Sequence, residues 1–267
     1  LDPDNVYPAY DDGAAVYDDL FSRVDAALAS LTEGLPTFGG ADLIYGGDMD
    51  MWKKFANSLK LKMGMTIADA DNAKAKSTVE SAVASGVFTS NADNATFHFL
   101  TAPPNTNPVW VDLVQSGRKD FVAASTIVDK MESLNDPRIE EYFTEDAVGG
   151  YSGGTPGASS NYATFSKPDE AIAAPDAPAH LLSYAEVEFF LAEAVERGYA
   201  VGGTAMTHYN NAVTASIEEW GGTAGEAAVY LAHPSVNYLT APGTYKQKIG
   251  EQKWIALYNR GWDAWIE

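Results

Sequence analysis

The sequence predicts an all-α protein in which an irregular helical repeat carries long loops. Two observations lead to this fold class. Apolar side chains recur at spacings of three and four residues over several segments, which is the period of one face of an α-helix. Between these segments lie long stretches rich in Gly, Pro, Ser and Asn. The 267 residues, 46% of them hydrophobic, suffice for one large domain or two modest ones with a buried core.

The first half of the chain contains three predicted helices and one weak strand. The first helix spans residues 14–31, and its apolar face comprises Tyr17, Phe21, Val24, Leu28 and Leu31. The second begins after Asp48 or Asp50, and its expected inward face comprises Trp52, Phe55, Leu59, Met63 and Ile67. A shorter helix covers about residues 73–84. The alternation at Phe97 and Phe99 is a weak strand signal.

In the second half, helices alternate with long aperiodic segments. Helix returns over about residues 121–134, with Ile127 and Met131 facing inward, and a short helix follows Asp136-Pro137. Pro242 occupies a plausible first-turn position of the last helical region. The segments 101–112 and 148–179 show no periodicity. A loop as long as the second is usually functional or disordered when it lies inside a compact domain.

Two adjacent helices resemble one tetratricopeptide unit. The first, Ser183–Arg197, opens with the capping-box pair Ser183 and Glu186, and the second is Thr204–Trp220. Small residues stand where two such helices would approach closely, and these are Ala192, Ala194 and Ala212. The period is not regular along the chain, so we expect an irregular tetratricopeptide-like body with long ligand-binding loops.

The charge and the cysteine count exclude several classes of function. The chain has 17 Lys and Arg against 37 Asp and Glu, a net charge of −20, and a pI near 4.4. This charge argues against binding to nucleic acid or to an anionic membrane surface, since both require Lys and Arg. With no Cys, the chain has no disulfide, thiolate metal site or cysteine nucleophile. No apolar run approaches the roughly 20 residues that span a bilayer.

The polar residues show no pattern typical of catalysis or metal binding. The four histidines include no pair at helical i, i+4 spacing, which excludes a helical zinc site of the H-E-x-x-H type. The glycines of residues 149–157 lack the Lys-Ser/Thr of a phosphate-binding loop. The pairs Asp48/Asp50 and Asp69/Asp71 fit helix termini better than a calcium loop. We therefore expect no catalytic residue, no metal and no cofactor.

Three aromatic residues outside the helical faces are the best candidates for a ligand site. Trp110, Tyr151 and Tyr162 lie in the long segments among Asn, Ser, Thr and Gly. Flat aromatic faces stack on the C–H faces of sugar rings, and neighbouring amides such as that of Asn107 can bind sugar hydroxyls. The sequence predicts ligand binding at Trp110, Tyr151, Tyr162 and Asn107. Alternatively, the aromatic side chains fix a loop to the helical body.

Four blocks of the sequence resemble the SusD/RagB family, the outer-membrane nutrient-binding lipoproteins of Bacteroidetes. The first block is Gly47-Asp48 followed by residues 52–61, and the second is Asn135-Asp136-Pro137-Arg138. The third is Ser183–Val187, continued by Ala192–Ala194 and Gly198, and the fourth is Gln252–Leu257, continued to Trp265. They follow in order along nearly the whole chain, and the branch they most resemble is starch-binding and associated with the outer membrane.

The resemblance implies a protein that binds oligosaccharide or polysaccharide without catalysis. It implies one helical domain over residues 1–267, the C-terminal part of a longer chain. Family members are lipid-anchored on the extracellular face of the outer membrane through an N-terminal segment that this sequence lacks. They deliver oligosaccharides to a TonB-dependent, SusC-like transporter. The candidate ligand residues match no family motif and depend on the stacking argument alone.

Two other functions remain open at this point. On the RagB side of the family the same scaffold binds peptides, because the ligand class is decided by the loops. An intracellular tetratricopeptide scaffold that binds other proteins is the third possibility.

If the ligand is a glycan, the acidic composition favours neutral sugars over uronates or sulfated polymers.

Overall fold

The computed structural model describes residue 7 and residues 9–32 and 37–266. These ranges contain twelve α-helices, two 3-10 turns, one π-helical turn and two short strands, which confirms the all-α prediction. The longer helices are α1 (Gly13–Ser30), α2 (Met49–Thr66), α3 (Asn72–Ala84), α5 (Ser125–Leu134), α8 (Tyr184–Glu196), α9 (Ala205–Glu219), α10 (Ala224–Leu231) and α11 (Tyr245–Ala256). The shorter ones are α4 (Pro108–Trp110), α6 (Ile139–Tyr142), α7 (Glu170–Ala173) and α12 (Gly261–Ile266). The antiparallel strands are β1 (Ala95–Phe97) and β2 (Ala179–Leu182).

Short polar side chains decide where most long helices begin. Each of these N-cap residues accepts a hydrogen bond from a backbone N–H of the first turn, which would otherwise lack a partner. They are Asp12, Asp48, Asp71, Ser183, Thr204, Thr223 and Thr244. The prediction that Asp48 and Asp71 belong to helix termini is confirmed. Pro242 was wrongly placed in the first turn of the last helical region, because Thr244 caps α11 two residues later.

Helix α8 is buried on two sides and joins the two halves of the core. One side, with Phe189 and Ala192, packs into a cluster formed with α5, α9, α10 and α11. The other, with Phe190 and Leu191, packs into a cluster formed with α2 and α3. The most extensive helix packing in the described ranges is between α8 and α9, where Ala192 and Ala212 are fully buried. The predicted tetratricopeptide-like pair is therefore present.

The predicted inward face of α2 is only partly correct: Phe55 and Ile67 pack half-buried against the core cluster shared with α3, but none of the five predicted residues is fully buried. Its buried residues are Ala56, Asn57, Ser58, Leu61, Gly64 and Met65. Gly64 lets α3 approach so closely that an added Cβ would lie 2.9 Å from a Val79 methyl. Asn57 donates hydrogen bonds to two backbone carbonyls just after α3, and Ser58 accepts one from Phe88 N–H. Close approach and hydrogen bonding therefore select a face that hydrophobicity alone does not indicate.

A buried ion pair fixes the corner between α5 and α6. Asn135 ends α5 in the left-handed conformation, with φ of 52°. The Arg138 guanidinium binds the Asp136 carboxylate through Nε at 2.9 Å and Nη2 at 2.6 Å, and both side chains are at most 1% exposed. Its remaining donors reach Ser216 on α9 at 2.9 Å and Gln252 on α11 at 3.1 Å. One cation thus connects the corner to two further helices.

A second ionic cluster corrects the predicted capping box of α8. Ser183 does accept a hydrogen bond from Glu186 N–H, at 3.4 Å. The buried Glu186 carboxylate instead binds Lys62 of α2 at 2.8 Å and Arg260 at 2.7 Å. Asp263 of α12 also pairs with Lys62 and Arg260. The glutamate therefore connects α2, α8 and the C-terminal helix, and only half of a capping box forms.

We predict that Asp136→Ala destabilises the protein by about 3–5 kcal/mol, because it leaves the buried Arg138 charge unpaired. Arg118 and Asp120 provide a matched control. They are also two residues apart and joined by a 2.6 Å contact, but their side chains are 49% and 52% exposed. Asp120→Ala should cost at most about 1 kcal/mol. Urea denaturation of both variants checks this, and equal losses would contradict the assigned importance of burial.

Glu219, the last residue of α9, makes stability depend on pH. Burial raises the pKa of its carboxyl from 4.5 to about 7. Between these values the folded state binds more protons than the unfolded chain, so stability falls as the pH rises through this window. His180, whose Nδ1 lies 3.4 Å from Glu219, acts in the opposite direction. Burial lowers its pKa from 6.5 to about 4, so it destabilises the fold as the pH falls through that range.

We predict that Glu219→Gln gains stability relative to the native protein by about 1–3 kcal/mol between pH 5 and pH 8. The amide keeps an acceptor for Asn94, which donates to Glu219 at 3.0 Å, but it has no proton to lose. Denaturant unfolding at several pH values measures the difference. Glu218→Gln, at the exposed neighbouring residue, should show no comparable trend.

Candidate ligand-binding loops

The loops that carry the candidate residues are held together by backbone hydrogen bonds. Residues 143–169 leave the end of α6 and fold back on themselves, with Thr144 N–H bound to the Lys167 carbonyl and Ser166 N–H to the Ser152 carbonyl. The same loop pairs with the segment before α5 through Ala123 and Gly154. The long segment predicted to be either functional or disordered is therefore an ordered surface structure.

Asp146 organises the tip of this loop. Its carboxylate accepts hydrogen bonds from Val148 N–H at 2.9 Å, from Gly150 N–H at 3.1 Å and from the Ser152 hydroxyl at 2.7 Å. These bonds hold the pKa of Asp146 below its usual value. Nearby, Gly153 passes so close to the chain before α5 that an added Cβ would lie 2.3 Å from Ser125 N. Gly153 thus serves close backbone approach, whereas an added Cβ at Gly149, Gly150 or Gly157 would meet nothing within 4 Å.

Trp110 lies in a helical turn and not in an irregular loop. It ends α4, and a π-helical turn, Val111–Gln115, continues from it. Asn107 caps α4 through its side-chain oxygen, which accepts from Val109 N–H at 3.0 Å. Its amide nitrogen donates to the carbonyls of Ile172 and Ala174, at 2.7 and 3.0 Å. Since Asn107 is only 4% exposed, its amide positions the Trp110 turn against α7.

Tyr151 and Tyr162 stand in different surroundings. Tyr151 is half-buried and packs against the core cluster that contains α5 and α9. Burial and the nearby carboxylates of Glu140 and Glu145 raise the pKa of its phenol. Tyr162 is also half-buried, and the Lys167 ammonium lies 5.1 Å from its ring centroid. Tyr151 thus fits the fixing role that the sequence left open, whereas Tyr162 lies on the loop surface.

The three aromatic residues border one segment without touching one another. The Trp110 turn is bound to residues 172–174, Tyr162 contacts Lys167, and Tyr151 lies near Asp169. None of the ring contacts within the described ranges joins two of the three. Each therefore lies near part of residues 167–174, and no ring contact joins any two of them.

The structure adds an aromatic residue that sequence analysis did not select. Phe121 was predicted to start a helix, but α5 begins at Ser125 and leaves Phe121 46% exposed. The Arg118 guanidinium lies 4.7 Å from its ring centroid. Leu100 and Val114 are also more than half exposed on the segment that carries Trp110. The sequence analysis extended the helical period of α5 back to Phe121, so it did not identify this exposed aromatic residue.

The electrostatic surroundings of the loops are mainly acidic. Burial and the nearby carboxylates of Asp169 and Glu140 raise the pKa of Glu141.

Within the described ranges, no group of three or more His, Cys, Asp or Glu side chains is arranged to hold a metal ion. None of the described helices is both long and apolar enough to cross a membrane.

Comparison with known proteins identifies the family of this chain. A SusD-like family model, described as starch-binding and associating with the outer membrane, matches residues 1–267. The chain belongs to this SusD-like family. The resemblance seen in the four sequence blocks is confirmed. No protein with curated function matches the sequence.

Several solved SusD homologues have the same fold. A chitin-binding homologue from Flavobacterium johnsoniae is 30% identical, with a TM-score of 0.83 over 97% of this chain and 60% of that chain. A homologue from Bacteroides uniformis is 29% identical, with a TM-score of 0.85 and coverage of 97% and 60%. A further chitin-binding protein is 26% identical, with a TM-score of 0.85 and coverage of 100% and 62%. The chain thus spans about three-fifths of their length.

We predict that Asn107→Ala lowers the free energy of unfolding by about 2–3 kcal/mol, since it removes a helix cap and leaves two buried carbonyls without donors. Asn105→Ala is the matched control. Asn105 is exposed, and the hydrogen bond from Leu100 N–H goes to its backbone carbonyl, which the substitution keeps. Denaturant unfolding compares the two. A small loss at Asn107 would contradict its positioning role.

Proposed function

We propose that the protein binds neutral oligosaccharide or polysaccharide on the outer face of the outer membrane, without catalysis. The observation that carries this proposal is the match of a starch-binding SusD-like family over residues 1–267. Two solved proteins of the same fold, 30% and 26% identical, are chitin-binding. Both comparisons favour a glycan ligand for this chain over the other ligand classes.

The proposed ligand surface is the rim around residues 167–174. Trp110 and Tyr162 supply half-buried aromatic rings on which sugar rings stack, whereas Tyr151, packed against the core cluster, fixes the base of the loop. Asn107 contributes by holding the Trp110 turn in place. Half-buried aromatic rings suit an amphipathic ligand, because their faces bury apolar area while neighbouring polar groups bind hydroxyls.

The charge of the surface favours a neutral ligand. Carboxylates of α6 and of the Asp169 cap lie near Tyr151, and the whole chain carries a net charge of −20. An anionic polymer would be repelled over the Debye length of about 8 Å at physiological salt. Strong binding of a uronate polymer that weakens as salt is added would contradict this part of the proposal.

Delivery to a TonB-dependent, SusC-like transporter is the proposed purpose of binding. In this proposal the chain is one helical domain, residues 1–267, of a longer protein that is held in the outer membrane by an N-terminal lipid anchor. Co-purification of the full-length protein with a transporter barrel from outer membranes tests the partner. Release of the protein from membranes when the lipidated cysteine is replaced tests the anchor.

We predict that Trp110→Ala weakens glycan binding about tenfold or more, because a stacked aromatic ring contributes as a binding hot spot. The loss of stability should be small, since the ring is only half-buried. Affinity electrophoresis in gels that contain starch or soluble chitin measures binding, and denaturation measures stability. Trp262→Ala, at a Trp that is 78% exposed on α12, is the control.

Two results would redirect the proposal. Unchanged affinity with a large loss of stability would make Trp110 a packing residue. Retention by no polysaccharide, together with heat released on adding a peptide digest, would favour the peptide-binding alternative.

A further inference from the structure

A cavity that is open to solvent lies away from the candidate loops. Its volume is about 440 Å³, and it is formed by the 3-10 turn Asn91–Asp93, the start of α8 and the middle of α9. Its polar lining residues are Ser90, Asn91, Tyr184, Asn211, Thr214 and Glu218. The volume is in the range of pockets that hold small ligands. None of the lining residues belongs to the segments 101–124 or 143–175 that form the candidate loops.

The lining of this cavity suits a ligand with many hydroxyl groups. Three hydroxyls line the cavity and can donate and accept hydrogen bonds, as the hydroxyls of a sugar require. Of its two amides, that of Asn91 donates to the Ala215 carbonyl at 2.9 Å and that of Asn211 to Glu188 at 3.4 Å. The apolar side chains among the lining residues are those of Ala92 and Ala215, which do not suit a lipid. Glu218 is the one charged lining residue, so a phosphate, sulfate or uronate group would meet repulsion.

One polar atom at this cavity has no partner. The Asn91 amide nitrogen donates to the Ala215 carbonyl at 2.9 Å. Its oxygen is shielded from solvent, yet it accepts no hydrogen bond from the described part of the chain. Buried polar atoms are nearly always paired in native proteins. Asn91 is thus held in place by its bond to α9, and its shielded oxygen is not a contact for a ligand.

The wall that carries Asn91 is rigid before any ligand arrives. The Asp93 carboxylate accepts from Lys54 of α2 at 2.8 Å and from Thr89 N–H at 2.6 Å. Asn94 accepts from Tyr184 N–H at 2.6 Å and donates to Glu219 at 3.0 Å. The turn is thus fixed to α2, α8 and α9. Such preorganisation reduces the conformational entropy that binding removes.

A larger cavity elsewhere lacks these features. It measures about 670 Å³ and lies beside α5 and α11. The charged side chains that line it are engaged within the protein, Lys130 with Glu251 at 2.7 Å and Lys248 with the Tyr238 carbonyl at 2.9 Å.

We propose that the cavity at Asn91 is a second binding site for a neutral oligosaccharide, separate from the aromatic loops. This inference rests on the proposed glycan-binding function and adds a subsite to it. Asn211 and Thr214, one helical turn apart on α9, contact the sugar hydroxyls from one side, and Ser90, just before the 3-10 turn, contacts them from the other. Tyr184 offers an aromatic edge or face at the start of α8.

Methyl NMR of the full-length protein tests the two sites separately. Labelled Ala92 and Ala215 report on the cavity, and Ala163 and Ala171 report on the loops next to Tyr162 and Asp169. The probes are chitohexaose and maltoheptaose, with a trigalacturonate as the anionic comparison. We expect the neutral sugars to shift the signals of Ala92 and Ala215, and the trigalacturonate to leave them unchanged.

A pair of substitutions on α9 provides the decisive comparison. Asn211→Ala combined with Thr214→Val should weaken the titration seen at Ala92 and Ala215 by about fivefold to tenfold, since two hydrogen bonds to the sugar are lost. The titration seen at Ala163 should not change. Asn210→Ala, on the same helix but outside the cavity lining, is the matched control and should leave both titrations as they are.

The outcomes separate the inference from the proposed function. Shifts confined to Ala163 and Ala171 would overturn the second site and leave glycan binding at the loops intact. Shifts at Ala92 that persist at full strength in the α9 double variant would also overturn it. Shifts confined to Ala92 and Ala215 would support the second site and contradict the assignment of the aromatic loops. Shifts caused only by a peptide digest would overturn both.

Discussion

The buried ion pair between Asp136 and Arg138 is the interaction on which the arrangement of the C-terminal half depends. A guanidinium in this environment is tolerated only when its donors are satisfied, so the α5–α6 corner, α9 and α11 must meet around it in one geometry. Tyr142, at the end of α6, extends the same junction through a hydrogen bond to the Ile255 carbonyl at 3.0 Å. A shift of any one of these helices would leave a buried charge or polar group unpaired.

This corner also positions the candidate loops. Residues 143–169 begin where α6 ends, and the Asp169 N–H returns to the Tyr142 carbonyl at 3.0 Å. The loop is therefore closed at its base on a residue that the ionic junction holds. Asn107 then binds the Trp110 turn to the following segment through the carbonyls of Ile172 and Ala174. The candidate loops are thus supported by a fixed helical frame, as is usual for binding loops placed on a rigid scaffold.

The helical body contributes more than support. Because α8 is buried on both sides, its charged residues are used inside the protein, as Glu186 shows in binding Lys62 and Arg260. The cavity at Asn91 lies at the surface of this body, between α8, α9 and the turn that Asp93 fixes. A protein that captures a polymer gains from two separated weak sites, since the second contact forms at a high effective concentration once the first is made.

The sequence by itself determined the helical class, most helix starts and the family. These features depend on local signals: the 3.6-residue period, the N-cap side chains and four ordered blocks of residues. It also selected Trp110, Tyr151 and Tyr162 as aromatic residues of the long loops, but it did not show that Trp110 lies in a helical turn. It did not show that Asn107 is an internal support or that Phe121 lies outside α5, because both depend on where distant carbonyls and helix ends fall.

Only the tertiary structure decided the inward face of α2 and the partners of the buried charges. Gly64, Asn57 and Ser58 are buried because α3 approaches closely and offers carbonyls and an N–H at matching positions. Lys62, Glu186 and Arg260 come from three separate regions of the chain, so no local spacing connects them. The period of hydrophobic residues is a local property of the sequence. The partners of a buried charge or hydrogen-bonding group depend instead on which helices meet in the folded protein.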